Sequence, residues 1–582
     1  MKRARIVAFA VTLAFTTGVL AQSLRPLLPA DTVVAIGVQG LAQQQDKIQP
    51  FIDEFDRLGV AKAFQDAFAS SEQQAAQSAN LPDMTQLPKE FKDLTLLDLV
   101  GNEAYLAVSV KQGALIPAVT IVARVDAKAQ GAIAKVLADE AGKAGVQKLS
   151  EGSNAFYVDT VDNGDGTTTQ VAYAQDGAFV AISNDTDVLR GVLRRHQGAN
   201  EPSFTSSAGY AATLGKLGDG QVMTYLDLAP VSAMVTPLLS AQGMDALAQR
   251  VSGMLDTIGI TAGVSRLTAD GVETQSLQKL GEADKDPALY AMLSGHAPAS
   301  TVPLAFVPAS ALSVSSSNLA LTAWWDYLGG LVASVPQLGV SNLDETLKSM
   351  VNIDLRADLF AWTDHNVAII STPTPPAPQA GMPTSDLLGG SLFVLQAKDD
   401  AAAQTGLSDL FTKLGAQLAG FTAPSGNAAP PAPATHQVGD VTVTSFTMAP
   451  GVTLAYAVTD GMAFIGTSAD GLDAALQAKQ AGSALPSMLA AMRGSVPADA
   501  HSFTLTDSKA SMDSSTASLV TGLQTFAGMS GSQGLDIAKV TAATDALKAF
   551  MGYVASHLGG AVSYEQVASG TISSHGMTQV RW

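Results

Sequence analysis

The sequence predicts an α+β fold in two tandem repeats, each an antiparallel or mixed β-sheet with amphipathic helices packed on one face. Three observations carry that prediction. Val171–Asn184 reads as two short apolar strands joined at Asp176-Gly177, with a helix starting at Asp185. The pattern returns at Leu454–Thr467 as an Ala-Tyr-Ala strand, an Asp-Gly turn, a Phe-Ile strand and a following helix. Around both, strand-type and helix-type segments follow one another in the same order. Asp-Gly is a favoured hairpin turn because glycine takes positive φ at no steric cost.

The first 21 residues have the make-up of an export signal. Lys2, Arg3 and Arg5 form a charged start, and Ile6–Leu20 is an apolar run. That run is shorter than the ~20 residues a membrane-spanning helix needs. Val19-Leu20-Ala21 places small residues where a leader is cut, so the mature chain is expected to begin near Gln22. The protein is then extracytoplasmic: periplasmic, secreted or elsewhere in the cell envelope. Removing the leader leaves 30 basic against 52 acidic residues, a net charge of −22. Such a surface repels nucleic acid and anionic headgroups, so no nucleic-acid partner is expected. No later segment reads as a membrane span. With no cysteine in 582 residues there is no disulfide and no lipid-bearing thiol, and stability must come from burial.

Leu28-Pro-Ala-Asp-Thr leads into a strand through Val38, and apolar positions recur at helical spacing over 41–70, among them Ile48, Phe51, Ile52 and Phe55. The segment 71–93 is polar and helical in part. Tyr105–Val110 and Ala118–Val125 form a strand pair, and Asp126 caps a helix through about Ala144. Strands at Ala155–Asp159 and Thr168–Ala174 flank the loop Asp162-Asn-Gly-Asp-Gly166. The helix 185–196, the strand Val222–Asp227, a long helical stretch 229–257, the strands Ile258–Leu267 and Val272–Leu280, and a short helix near 288–294 complete the first repeat. The opening punctuation returns at Ala297-Pro-Ala-Ser-Thr301, which places the repeats at 22–296 and 297–582. In the second, Ser391–Ala397 matches 118–125, Asp399-Asp400 caps a helix as Asp126 does, and Val496–Leu505 matches the strand at 222–227. A hairpin of Gly560–Tyr564 and Gly570–Ser574 closes it. Pro/Ala-rich tracts near 373–384 and 423–435 read as exposed loop insertions, because proline lacks the N–H a sheet needs.

Taken together, the leader, the Pro-Ala-Asp-Thr strand, the Asp358-Leu-Phe-Ala-Trp362 approach to strand Val367–Ile370, and Tyr-Ala-x-Asp-Gly-x-Phe-Val-x-x-Ser before a helix resemble the bacterial exported family called domain of unknown function 3352. The resemblance covers most of the mature chain, in two copies. Its motifs are turns, strands and caps, and it implies no catalytic residues. The first copy departs from it at Asp98-Leu-Val-Gly101.

Chemistry is sparse. The seven histidines (His196, His296, His365, His436, His501, His557 and His575) are scattered, with no i, i+4 pair to share a zinc. His365 adjoins Asp364, but adjacent strand residues face opposite ways. Ser276-Leu-Gln-Lys279 has the spacing of a serine penicillin-recognising motif, yet falls in a strand where a helix start is needed. Gly528–Ser532 only resembles a nucleophile elbow. The Asp159–Gly166 loop has the oxygens for calcium but neither its register nor its closing glutamate. No catalytic, cofactor-binding or metal-binding residue is predicted. Trp324, Trp325, Tyr327, Phe360 and Trp362 cluster; they read as core, or as an apolar-ligand pocket where helices open from a sheet. The expected function is therefore non-enzymatic: an exported, soluble envelope protein acting by binding or structural contact with another envelope protein. A carrier of lipid or another apolar small molecule is the alternative, and a hydrolase built from distant residues ranks below both.

Overall fold

The computed structural model describes residues 23–582 apart from 65, 67–93, 95–97, 99–101, 112–116, 144, 163–167, 296, 336–338, 374–389, 423–431, 450–451 and 531–536. The leader 1–21, the polar segment 71–93, the tip of the 159–166 loop, nearly all of the 373–384 tract, most of 423–435 and His296 lie outside the described residues. Packing divides the chain into two units. The first holds the described residues of Met1–Leu238, Val251–Glu282 and Ser532–Lys539; the second holds those of Leu239–Arg250, Ala283–Gly531 and Val540–Trp582.

Among the described residues, the sheet of the first unit contains β1 (Thr32–Gln39), β2 (Glu103–Ser109), β3 (Ala118–Arg124), β4 (Gln147–Glu151), β5 (Asn154–Asp162), β6 (Thr168–Asp176), β7 (Phe179–Ser183), β8 (Val222–Asp227), β9 (Ile260–Leu267) and β10 (Gly271–Lys279). They pair antiparallel in the order β10-β9-β8-β1-β2-β3-β7-β6-β5-β4. The second unit contains β11 (Ser313–Asn318), β12 (Thr363–Thr372), β13 (Gly390–Ala397), β14 (Ala434–Val438), β15 (Val441–Ala449), β16 (Val452–Thr459), β17 (Met462–Gly466), β18 (Ser502–Asp507), β19 (Leu558–Ala568) and β20 (Thr571–Val580). Their order is β20-β19-β18-β11-β12-β13-β17-β16-β15-β14, again antiparallel. The two strand orders are the same.

Helices cover both faces of each sheet, where the sequence suggested one. In the first unit Ala107, Val122, Ala172, Ala174 and Ala181 pack on Leu189, Val192 and Leu193 of the helix Thr186–His196. Ala104, Ala123, Tyr173 and Val180 pack the other way, on Ala129, Ala132, Ile133 and Leu137 of the helix Ala127–Ala141. The second unit repeats this. Ile370, Val394, Ala455 and Phe464 meet Leu472 and Leu476 of the helix Ala469–Gln480, while Leu395, Tyr456 and Ala463 meet Leu407, Leu410 and Phe411 of the helix Asp400–Thr422. Successive strand residues point to opposite faces, so a strand buried on both must be apolar nearly throughout. Ala118-Val-Thr-Ile-Val-Ala is such a run.

Local signals place the helix starts. Asp126 Oδ1 accepts from the Ala129 N–H at 2.7 Å, Asp185 Oδ1 from Val188 at 3.1 Å, and Asp399 Oδ1 from Ala402 at 2.7 Å. Asp460 and Gly461 both have positive φ, 54° and 70°, as a tight β16–β17 turn demands. Other readings shift. The stretch 229–257 is two helices, Ala229–Ala241 and Asp245–Ile258, parted at Gly243 with φ 74°. The strands β4 and β14, absent from the sequence reading, are polar and exposed edge strands; β14 begins at Ala434, inside the tract read as a loop. A turn like the one before β1 precedes β11, at Val307-Pro-Ala-Ser310. Ala311 N–H donates to the Pro308 carbonyl there (3.0 Å) as Thr32 N–H does to Pro29 (3.3 Å) before β1.

The start of the described chain is bound into the first sheet. Buried Arg25 donates from Nε to the Tyr105 hydroxyl at 3.0 Å, and that hydroxyl donates to Glu103 Oε1 at 2.8 Å. The same oxygen accepts Ser23 Oγ at 2.7 Å and the Leu24 N–H at 2.9 Å. Tyr105 fits because its β1 neighbour is glycine: a Cβ on Gly37 would lie 2.0 Å from the Tyr105 ring. Gly37→Ala is expected to cost about 3 kcal/mol through overpacking, read as a lower midpoint of urea unfolding. An unchanged midpoint would mean that the ring has room to move aside.

Candidate binding site

The predicted aromatic cluster gathers around three helical pieces of the second unit: the helix Leu321–Ala333, the helix Leu343–Val351 and a π-turn over Arg356–Phe360. Asn342 caps the second by accepting from Glu345 N–H at 3.2 Å, and Asn352 ends it at φ 55°, a left-handed position asparagine tolerates. In the π-turn, Asp358 Oδ2 accepts the Asp354 N–H at 3.0 Å, and Ala361 N–H reaches the Arg356 carbonyl at 2.9 Å.

The five aromatics do not share one pocket. Trp362 is buried with Leu395, Leu407 and Phe411, and its Nε1 donates to the Asp358 carbonyl at 2.8 Å. Gly406 allows that approach, since a Cβ there would lie 2.4 Å from Trp362 Nε1. Phe360 is also buried, with its ring 6.1 Å from that of half-buried Trp325. Trp325 Nε1 donates to Asp344 Oδ1 at 2.7 Å. Arg356 Nε reaches Asp344 Oδ2 at 2.6 Å, and its Nη2 bonds Asp326. On the other side, buried Tyr327 donates to Asp286 Oδ2 at 3.0 Å and lies 4.8 Å beneath the Arg250 guanidinium. Burial, followed by the Asp286 contact, pushes the Tyr327 hydroxyl up to about 12. Trp324 meets Tyr327 edge-on at 6.4 Å and stays half-buried. Three rings are thus taken up in packing, and Trp324 and Trp325 remain reachable.

The π-turn also holds an ion pair that sequence reasoning missed. Lys413 Nζ stands 2.9 and 2.7 Å from the two oxygens of Asp358, whose side chain is 8% exposed. Asp358 was visible as part of the Asp-Leu-Phe-x-Trp element. Its partner lies 55 residues on. Lys413 had one faint signal: it is a charge next to the apolar positions Leu410 and Leu414 of its helix. In the first unit, Asp98 likewise pairs with a lysine of the following helix, Lys128, at 2.9 Å.

The other sequence candidates are dispersed. Among the described residues no three of His, Asp or Glu form a metal-holding group. His196 pairs with Asp176 at 3.1 Å and stacks on Phe179, and His436 pairs with Asp473 at 2.8 Å. His501 stands 3.3 Å from Glu565, His575 stacks on Tyr564, and His557 Nδ1 lies 2.9 Å from the Tyr553 carbonyl. His365 is exposed, and the Asp364 carboxylate takes its backbone N–H, not its ring. Ser276 and Lys279 sit three apart on β10, on opposite faces. Asp159 is buried in β5. Gly528–Ser530 ends the helix Ser508–Ser530, and 531–532 lie outside the described residues.

A family model described as "Protein of unknown function (DUF3352)" matches residues 123–492. The chain belongs to this family. The DUF3352 match is a single stretch that takes in the aromatic corner and the Asp358–Lys413 pair. No curated protein matches the chain. Among solved structures it is similar to TP0453. Crystal form I is 8% identical over 47% of this chain and 88% of that one, with a TM-score of 0.23. Crystal form III is 9% identical over 48% and 90%, also with a TM-score of 0.23.

Removing Lys413 strands a buried carboxylate, so Lys413→Met is expected to cost about 3 kcal/mol. The double variant with Asp358→Asn should cost less than the single one, because the orphaned charge is gone. A single-variant loss below about 1 kcal/mol, typical of a surface pair, would deny the pair its structural role. Glu565 supplies a pH test. Its contact with His501 foremost, with Ser502 and Ser574 also donating, holds its carboxyl below the usual range against the effect of burial. A lowered folded pKa stabilises above the ordinary glutamate value, and that contribution is lost as pH falls through the folded one. Glu565→Gln is expected to destabilise at neutral pH and to lose that effect in acid; an equal deficit at every pH would contradict it.

Proposed function

We propose that this chain is an exported, non-enzymatic protein of the bacterial cell envelope that works by binding, with the helix Leu321–Ala333 as its contact element. One observation carries the reading. That helix, Leu-Thr-Ala-Trp-Trp-Asp-Tyr-Leu-Gly-Gly-Leu-Val-Ala, is apolar over most of its length yet buries only Tyr327. Leu328 is 44% exposed beside half-buried Trp324 and Trp325. Helices apolar on most sides are ordinarily covered, and exposed apolar patches mark contact surfaces. Asp326 and Asp344, bridged by the single charge of Arg356, together with exposed Glu345 leave the rim of the patch net acidic. The complementary partner is an envelope protein with an apolar patch and basic surroundings, since the acidic chain disfavours anionic lipid.

The leader-like start supports export. No helix among the described residues is long and apolar enough to cross a membrane. The shared strand order supports two copies of one unit. The carrier reading keeps Trp324 and Trp325 as its ligand-facing rings.

Fractionation with N-terminal sequencing is expected to find a chain starting near Gln22 in the envelope or medium. A full-length chain confined to the cytoplasm would overturn export. For binding, Leu328→Asp is expected to leave the unfolding midpoint within about 0.5 kcal/mol and to abolish a defined in-cell cross-link formed from position 324. A cross-link indifferent to the substitution would remove this helix from the reading, and co-purified lipid lost in Trp324→Ala would turn it to the carrier.

A further inference from the structure

A second site lies in the first unit and does not depend on the docking helix. A groove of about 190 Å³ runs between the Pro29–Asp31 turn and the helix Thr186–His196. That is room for about six waters at ~30 Å³ each, or for one amino acid to one small dipeptide.

The charges around the groove are unevenly committed. Lys111 is held by Asp185 at 2.6 Å, and Arg194 Nε by Glu201 at 2.6 Å. Among the described residues, the Asp187 carboxylate has no hydrogen-bond or ion-pair partner, and that of Asp31 has only a charge interaction with Arg195. Arg195 forms the floor, with its side chain 9% exposed. Its Nε donates to the Leu27 carbonyl at 2.9 Å, and its Nη1 donates to Pro202 at 3.4 Å and stands 3.7 Å from Glu201. Its Nη2 has no hydrogen bond among the described residues. Burial lowers the pKa of this guanidinium from its ordinary value, so an added anion would favour its charged form.

Gly191 is buried against that guanidinium. A Cβ on Gly191 would lie 3.4 Å from Arg195 Nη1 and 3.6 Å from Nη2, in ordinary contact. Packing therefore permits alanine here, and a glycine inside a helix costs up to about 1 kcal/mol relative to alanine. The equivalent helix position of the second unit, counted from the N-caps Asp185 and Ser468, is Ala474. The glycine leaves the helix side of the guanidinium bare, where alanine would place a methyl group beside Nη1 and Nη2.

We propose that this groove binds a small zwitterion, one carboxylate and one ammonium on a body the size of an amino acid or small dipeptide. The carboxylate seats on Arg195 Nη2 above Gly191, and the ammonium faces Asp31 and Asp187.

Isothermal titration of the full chain with L-alanine and dialanine tests this, with acetate and ethylammonium as the separated halves. At least one zwitterion is expected to bind saturably and ~10-fold or more tighter than either half, because the second charge is engaged intramolecularly. Gly191→Ala is expected to weaken it ~10-fold or more while the unfolding midpoint stays or rises. Asp187→Asn, on the exposed rim, should weaken it several-fold and reads out the ammonium seat without touching the floor. Three results would overturn the proposal: no saturation by either zwitterion at ~10 mM, undiminished binding to Gly191→Ala, or acetate binding as tightly as the zwitterions.

Discussion

Two-sided burial of the central strands is the constraint from which the rest of each unit follows. β2, β3, β6 and β7, and their counterparts β12, β13, β16 and β17, have a helix on either face. Their side chains must be apolar on both sides and small enough for close approach, which is why Ala104, Ala107, Ala172, Ala174, Ala455 and Ala457 recur. Each fully buried large side chain contributes about 1.5–3 kcal/mol, and with no cysteine in the chain burial is the main source of stability.

Two carboxylates in that interior are held by several partners each. Glu103 collects the Tyr105 hydroxyl, Ser23 Oγ and the Leu24 N–H on one oxygen. Asp358 takes Lys413 on both oxygens and the Asp354 N–H on one. Such pairs roughly break even against apolar replacements, since desolvation offsets attraction. Their effect is directional. Glu103 fixes where the first residues enter the sheet, and Asp358 fixes the π-turn that sets Trp362 under its helix.

The two units share a strand order and differ where the sheet does not dictate. Beneath the helix Asp400–Thr422, Phe446 and Tyr456 pack with the helix's own Phe411, ring centroids 4.9–6.5 Å apart. Beneath the helix Ala127–Ala141 the matching layer has Tyr157 stacked on Tyr173, whose hydroxyl is pushed up by burial and then by Glu140 and Asp159. Reachable surface differs as well: a half-covered Trp-bearing helix in the second unit, a charged groove over a glycine in the first.

The sequence by itself determined what neighbouring residues decide. Asp126, Asp185 and Asp399 announced their helices because a cap is made within three residues, and Asp460-Gly461 announced its turn because positive φ is a property of those two residues. The α+β class and most strands followed from periodicity. The tertiary structure alone decided the rest. An unbroken run such as Ala118–Ala123 does not say how many faces are covered, and β4 and β14 are too polar to read as strands without β5 and β15 beside them. Trp362 and Trp324 look alike in sequence; one is buried among Leu395, Leu407 and Phe411 and the other is half-exposed. Lys413 and Arg195 acquired their roles from Asp358 and Leu27, 55 and 168 residues away. Local chemistry is written in local sequence, whereas burial and charge pairing depend on groups that only the folded chain brings within a few ångströms.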